Sequence, residues 1–488
     1  MHSQNPGTAL QKLAQTSLDF LTSPDQKKYR LVNWLLLAVL FLGGLYLLGH
    51  FLAWGSASIG FSDWGDVTAP RLTILRNAIL QGELPLESAY PLTIGGTSTY
   101  QVLAVPDLLL SPQILLLYAA GFLGLLKLKR SQCFSILTFA ILFLLFNFNG
   151  NILAHLSVGH ITWGGYFLFP WLALLVFELL DGKTGWSWTF KVAVLLFIML
   201  LQGSYHQFVW CLFLLGLLGL AFPRYFWLLL RTAVAAVLLS LARLLPEVTL
   251  VGNASNNFLS GFPDFQSIWN ALVTIQPPGV RSSLAAIGNP IGLWEATTYV
   301  GLIGAGFLVY FGIIRPLVTP GAENKYRRLL LPVAGLLFLS LTPIYNELRN
   351  ILPLPIFIGE RVITRLIGLV FALALFMAAN QFQDWLNAGR AAKIPVVASL
   401  VLLAFDAVDL YQNYYTWSVV RVAKVSGYVL FSPDQWTIAN NQANYLYLQY
   451  VMWGAAGSIA VFIFLVVMAA RERRARRVPP AGRQSLPV

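Results

Sequence analysis

Apolar runs of roughly 17–25 residues recur along almost the whole chain, each long enough as a helix to cross about 30 Å of hydrocarbon. They fall at about 31–53, 107–126, 132–148, 162–180, 188–202, 207–222, 226–246, 294–314, 328–344, 362–380, 394–410 and 450–470. The pattern predicts an all-α polytopic membrane protein with about 12 transmembrane helices, because a spanning backbone must satisfy its own polar groups. The opening residues 1–26 are polar and weakly amphipathic, and the first apolar run is long enough to persist as a span and not as a cleaved leader.

Between the first two runs lies a polar-punctuated stretch, FSDWGDVTAPRLTILRNAILQGELPLESAYPLTIGG, residues 61–96. Thr68 is a helix N-cap candidate, Pro70 suits a first turn, and Gly82 is a natural stop. Leu72, Leu75 and Ile79 recur at helical spacing between them. The reading is a short amphipathic helix along the outer interface, with Asp63 and Asp66 at its head. Pro85, Pro91, Gly95 and Gly96 build a turn-rich return to the membrane.

The composition fits this picture: 57% of residues are hydrophobic and 11% charged. The net charge of +12 suggests nucleic-acid affinity only until it is placed on the topology. With the N-terminus in the cytoplasm, 23 of the 32 Lys and Arg residues fall on inside segments, including six Arg after residue 470. That asymmetry is the positive-inside rule, so the charge orients the protein and calls for no nucleic acid. The expected organisation is a cytoplasmic segment 1–30, a membrane domain 31–470 and a basic cytoplasmic tail 471–488, with both termini cytoplasmic in the cell (inner) membrane. Outer loops are expected at 54–106, 247–293, 345–361 and 411–449. The 411–449 loop is rich in Tyr and Trp, as an interfacial aromatic belt or as a sugar-stacking or lipid-lining surface. Cys133 and Cys211 lie in or beside apolar runs and read as core residues, not a disulfide or metal pair. The two halves share no repeat, which counts against the repeated architecture of many transporters.

Several segments, taken in order along the outer face, resemble the C-superfamily of membrane glycosyltransferases (GT-C), and more narrowly its YfhO-like bacterial members. They are GDVTAPRL, LRNAILQGELPL and the GGT turn of the first loop, followed by HLSVGHITWGGYFLFPW (155–171) and QGSYHQFVW (202–210). LARLLPEVTL, WEATTYVGLIGAG and LPLPIFIGERVITRLIGL (352–369) continue the series. The chain departs from the pattern where Glu87-Ser88-Ala89-Tyr90 replaces the family's aromatic-polar run, so donor and acceptor choice do not carry over.

The resemblance implies an active site on the extracytoplasmic side. It implies transfer of a sugar from a polyprenyl-phosphate carrier to a hydroxyl of a lipid, glycan or protein acceptor. Asp66 matches the family's first-loop acid and is the leading base candidate, with Asp63 three residues before it. The two could instead share a divalent cation, Mg or Mn, or simply cap the helix. Arg361 and Arg365 are four apart, which on a helix puts them on one face as phosphate partners or as a snorkelling pair, with Glu360 as an available counter-charge. Glu295 matches an acid of the pattern at the start of a span. His155, His160 and His206 are candidates to line the cavity, His160 and His206 foremost, but their spacing matches no standard zinc motif. No Gly-rich nucleotide loop occurs on the inside face. The competing classes are a transporter or flippase and a non-catalytic subunit of a membrane complex.

Overall fold

The computed structural model describes residues 15–24, 29–55, 63, 110–247, 259–278, 281–282, 286–287, 291–319, 326–390, 393–426 and 445–477. The predicted first-loop helix, and Asp66 with it, lies outside the described residues. The architecture is helical, as the periodicity requires. Among the described residues, seven helical segments are long and apolar enough to span a membrane. They are Arg30–Phe51, Ile136–Ser157, Ile161–Leu180, Gly301–Val318, Ile363–Ala388, Pro395–Trp417 and Leu448–Arg476. Trp186–Leu201 and Tyr205–Ala221 are shorter apolar helices.

Two of these segments form the centre. Ile136–Ser157 and Ile363–Ala388 are 89% and 94% buried along their apolar windows, whereas Arg30–Phe51, Pro395–Trp417 and Leu448–Arg476 are only 22%, 17% and 22% buried. In a bilayer this ordering is natural, since lipid tails accept an apolar face as readily as a protein core does. Aromatic packing ties the centre together: Phe146 stacks on Tyr166 at 4.5 Å between centroids and meets Phe376 at 5.7 Å. Some polar groups inside the core find partners, which hydrocarbon surroundings favour. Gln383 accepts from the Ser135 backbone N–H at 2.7 Å and from the Thr138 hydroxyl at 2.8 Å.

The breaks in the helices matter most for function. The Ile136–Phe148 helix ends at Asn149, whose backbone is extended and whose side-chain oxygen caps the next helix, Gly150–Ser157, through the Ile152 N–H at 3.3 Å. The Asn149 amide group donates back to Leu145 and Phe146 carbonyls and to the Tyr166 hydroxyl, so the kink leaves its groups satisfied. Gly150 allows the backbone of Tyr299 to come close: its N–H donates to Tyr299 O at 2.7 Å, and a Cβ there would sit 2.5 Å from Tyr299 N. Tyr326 OH reaches Asn380 Oδ1 at 3.0 Å at a second polar point in the core.

The segment expected as an outer loop at 247–293 contains the helix Phe265–Val273, capped by Asp264. It also contains two short antiparallel ladders, Leu259–Ser260 with Ala286–Ile287 and Arg281–Ser282 with Ile291–Gly292. Its strand threads between helix ends: Phe262 exchanges hydrogen bonds with Ser340 O (3.0 Å) and the Thr342 N–H (2.9 Å), and the Ser260 N–H donates to Arg361 O at 2.8 Å. The expected loop 345–361 is built mostly from the helices Thr342–Ile351 and Pro355–Gly359. The expected loop 411–449 begins later than predicted, because the helix Lys393–Trp417 continues through its first residues and Val419–Ser426 adds another turn pair. Cys133 and Cys211 are both free thiols; Cys211 is buried as a core residue, whereas Cys133 is exposed at a helix end and is not one.

Candidate functional site

Four chain breaks converge to make one polar cluster. The first is the end of the Gly150–Ser157 helix. Val158 is its C-cap and Gly159 follows with φ of 89°, a left-handed conformation that favours glycine. The His160 N–H then donates to His155 O at 3.0 Å and the Gly159 N–H to Leu156 O at 3.3 Å, the two bonds of a Schellman motif. This turn folds His160 back over His155, and their Nδ1 atoms meet at 2.7 Å.

The second break is the 3-10 turn Leu293–Glu295, which buries Glu295 to 6% exposure. Its outgoing strand is pinned to the Phe265–Val273 helix by Thr298 N–H to Ala271 O (3.1 Å) and Val300 N–H to Leu272 O (2.8 Å). The third is the 3-10 turn Ile363–Leu366, which carries Arg365. The fourth is the start of the Tyr205–Ala221 helix, which carries His206 and Trp210.

Arg365 is the hub. Its Nε donates to Glu295 Oε2 at 2.6 Å and its Nη2 to Glu295 Oε1 at 2.5 Å, a two-point pairing. Its Nη1 lies 3.0 Å from His206 Nε2. The other nitrogen of that ring, Nδ1, lies 3.0 Å from Glu360 Oε2, which also accepts from Trp210 Nε1 at 3.0 Å. Trp163 floors the cluster: the Arg365 guanidinium sits 5.0 Å above its ring, and His155 stacks on it at 3.7 Å. On the far side of the histidine pair, His160 Nε2 lies 3.1 Å from Asp63 Oδ2. Asp63 has 32% of its side chain exposed, so this carboxylate is the wet edge of the cluster.

The two buried acids titrate low for the same reason. Burial alone pushes the Glu295 carboxyl up, but the charge and hydrogen bonds of Arg365, aided by His160, bring it below its ordinary value. Burial likewise pushes Glu360 up, and His206, Arg365 and the Trp210 N–H carry it below. The Arg361 guanidinium is lowered by burial and by repulsion from Arg365.

Of the residues expected from the sequence, Asp63, His160, His206, Glu295 and Arg365 are brought together here. One expectation is corrected. Arg361 and Arg365 do not stack on one helix face, because Val362 bridges to Ser260 and holds residue 361 in extended chain, with helix beginning only at Ile363. Glu360 is hydrogen-bonded to His206 and Trp210, and its charge also acts on Arg361 and Arg365, as a counter-charge should. Asp66 lies outside the described residues. The roles of Trp163 and Trp210 escaped the sequence reading, although both sit inside outer-face segments already singled out, beside the histidines they support. The chain matches no protein-family model, no curated protein and no solved structure.

Proposed function

We propose that this chain is a membrane glycosyltransferase of GT-C type. In this reading it has about 12 spans, with cytoplasmic termini and a site open to the extracytoplasmic side. It moves a sugar from a polyprenyl-phosphate donor to the hydroxyl of a lipid, glycan or protein acceptor. The observation that carries the reading is the docking of Asp63 on His160, 3.1 Å apart, beside the largely buried Arg365 and half-buried Arg361. A base and a cationic group are the two elements that transfer from a phosphate needs.

In the reaction, the acceptor oxygen forms a bond to the anomeric carbon and its proton passes to Asp66. The bond from that carbon to the phosphate oxygen breaks, and the phosphate leaves with the electron pair. Glu295 already neutralises Arg365, so Arg361 takes the leaving phosphate while Arg365 and His206 hold the floor of the site. The long isoprenoid tail lies among the apolar helices.

The test is transfer from radiolabelled polyprenyl-phosphate sugars in liposomes, comparing wild type with Asp66→Asn. Removing a general base lowers the rate by about 10²–10⁴-fold, and the folded variant should lose transfer on that scale. Undiminished transfer would move the base elsewhere, and no transfer from any donor would count against the enzyme.

A second reading, a lipid or glycan transporter, has one observation in its favour. Asp406, 3% exposed within the segment Pro395–Trp417, accepts from the Gly304 N–H at 3.0 Å. Acids inside a span commonly mark a pathway for ions or protons. Lipid flux that stops in Asp406→Asn, with no transfer chemistry, would favour that class.

A further inference from the structure

We propose that Asp63, His160 and Glu295 bind one divalent transition-metal ion, and that His155 orients His160 from behind. The proposal stands apart from the glycosyl-transfer reading, because metal binding is measured without activity.

Proton counting across the histidine pair carries it. The 2.7 Å contact between the Nδ1 atoms needs a single N–H between the two rings. If His155 is the donor, its Nε2 becomes a bare lone pair. That atom is fully buried and has no hydrogen-bond partner, and the nearest acid, Glu295, presents Oε2 at 3.9 Å. A lone pair facing a carboxylate in a dry site is repulsive. If His160 is the donor, His155 carries its proton on Nε2, directed at Glu295, and the repulsion becomes attraction. The His160 Nε2 is then the lone pair, and it faces Asp63 Oδ2 at 3.1 Å and Glu295 Oε1 at 4.0 Å. His160 Nε2 thus lies between two carboxylates, an electron-rich position that a bound cation would satisfy.

The spacing suits a metal. Ligands at about 2.1 Å from one ion stand roughly 3.0–3.4 Å from each other. The Asp63–His160 separation of 3.1 Å is already there, and Glu295 Oε1, 4.0 Å from His160 Nε2, has about 1 Å to close toward that nitrogen. The chelating atoms of His155, His160 and Glu295 all lie within 4.8 Å of one another. His160 and Glu295 are 8% and 6% exposed, so the site is built into the core and not scattered on a surface. Its outer shell is also in place: His155 takes the Nδ1 proton of His160, and Arg365 holds Glu295 at two points. One imidazole with two carboxylates suits Zn or Mn better than the all-oxygen shell that Mg takes. The sequence spacing gives no hint, because the second carboxylate arrives from residue 295 and the first from a different loop.

The experiment uses full-length protein in detergent, purified without a polyhistidine tag and stripped with chelator. It is then equilibrated with Zn or Mn alone, with bound metal measured by mass spectrometry. The expected result is one ion per chain, lost in Asp63→Asn and His160→Gln. His155→Leu should weaken binding by about 10–100-fold, the usual cost of removing an outer-shell partner. Asp63 lies at the wet edge, so its variant should fold. A second readout needs no variant: Mn bound to wild type should show magnetic coupling to an imidazole nitrogen. Absence of stoichiometric metal in wild type, binding undiminished in both ligand variants, or Mn bound without nitrogen coupling would each overturn the proposal.

Discussion

Glu295→Gln is the sharpest probe of the cluster, because it changes one charge and almost no volume. In the wild type the Arg365 guanidinium is held at two points by Glu295, with side-chain exposures of 14% and 7%. The substitution leaves a largely buried cation facing an amide, and the amide nitrogen adds a donor where an acceptor stood. Removing one partner of a buried pair costs about 3–5 kcal/mol, far more than the pair is worth against an apolar replacement. Glu360 and Asp63 supply part of the missing negative charge, which places the expected loss at the lower end, about 3 kcal/mol. That is about a hundredfold shift in the unfolding equilibrium. The assay is reversible unfolding in mixed detergent micelles for wild type, Glu295→Gln, Arg365→Met and the double variant. The double variant should be more stable than either single one, because the stranded charge is gone along with its partner. A Glu295→Gln protein within about 0.5 kcal/mol of wild type would refute the reasoning, since surface-type substitutions have effects of that size. So would simple additivity of the two single losses.

Two further expectations follow from the same geometry. Glu295 and Glu360 both have folded-state pKa values below their ordinary 4.5, so the unfolded chain binds protons first as the solution is acidified. Their stabilising contribution is complete above about pH 4.5 and is lost as pH falls through the lowered folded values. Unfolding midpoints between pH 6 and 3 should therefore fall in wild type and fall less steeply in Glu360→Gln, and parallel slopes would contradict the assignment. Gly159→Ala places a Cβ at φ of 89°. It should cost about 1–2 kcal/mol and pull His160 away from His155, read as a lowered unfolding midpoint together with loss of the ring contact by histidine NMR. An unchanged midpoint would show that the turn tolerates a side chain.

How far the sequence could be read follows from what hydropathy measures. It reports the cost of placing a segment in hydrocarbon, and so it found the helices. It does not report which helices are surrounded by others: the most apolar segments, Arg30–Phe51 and Leu448–Arg476, are among the least buried, while the central Ile363–Ala388 is less apolar. Periodicity also misled at the arginines. Spacing of four implies a shared face only inside a helix, and the parallel bridge from Ser260 to Val362 removes that condition. No local signal announces a strand that arrives from a hundred residues away.

The candidate site was legible in its parts and not in its connections. Asp63 and Glu295 stood out through the segments that carry the resemblance, His160 and His206 as outer-face histidines, and Arg365 because a charge at the end of an apolar run is costly and needs a partner. Their pairing was hidden because each partner comes from a different break in the helices: Gly159 for His160, the start of the Tyr205–Ala221 helix for His206, Leu293–Glu295 for the acid, Ile363–Leu366 for the arginine. Those breaks serve a common physical purpose. A continuous helix satisfies its own backbone and presents side chains sideways, into neighbours or lipid. A broken one can aim side chains along the axis of the bundle, provided its freed groups find partners, as the Gly150 N–H does at Tyr299 and the Ser260 N–H does at Arg361. The cost of each break is met locally by these hydrogen bonds. The result is a set of ionisable groups held together in a largely apolar protein, where each would be too expensive alone.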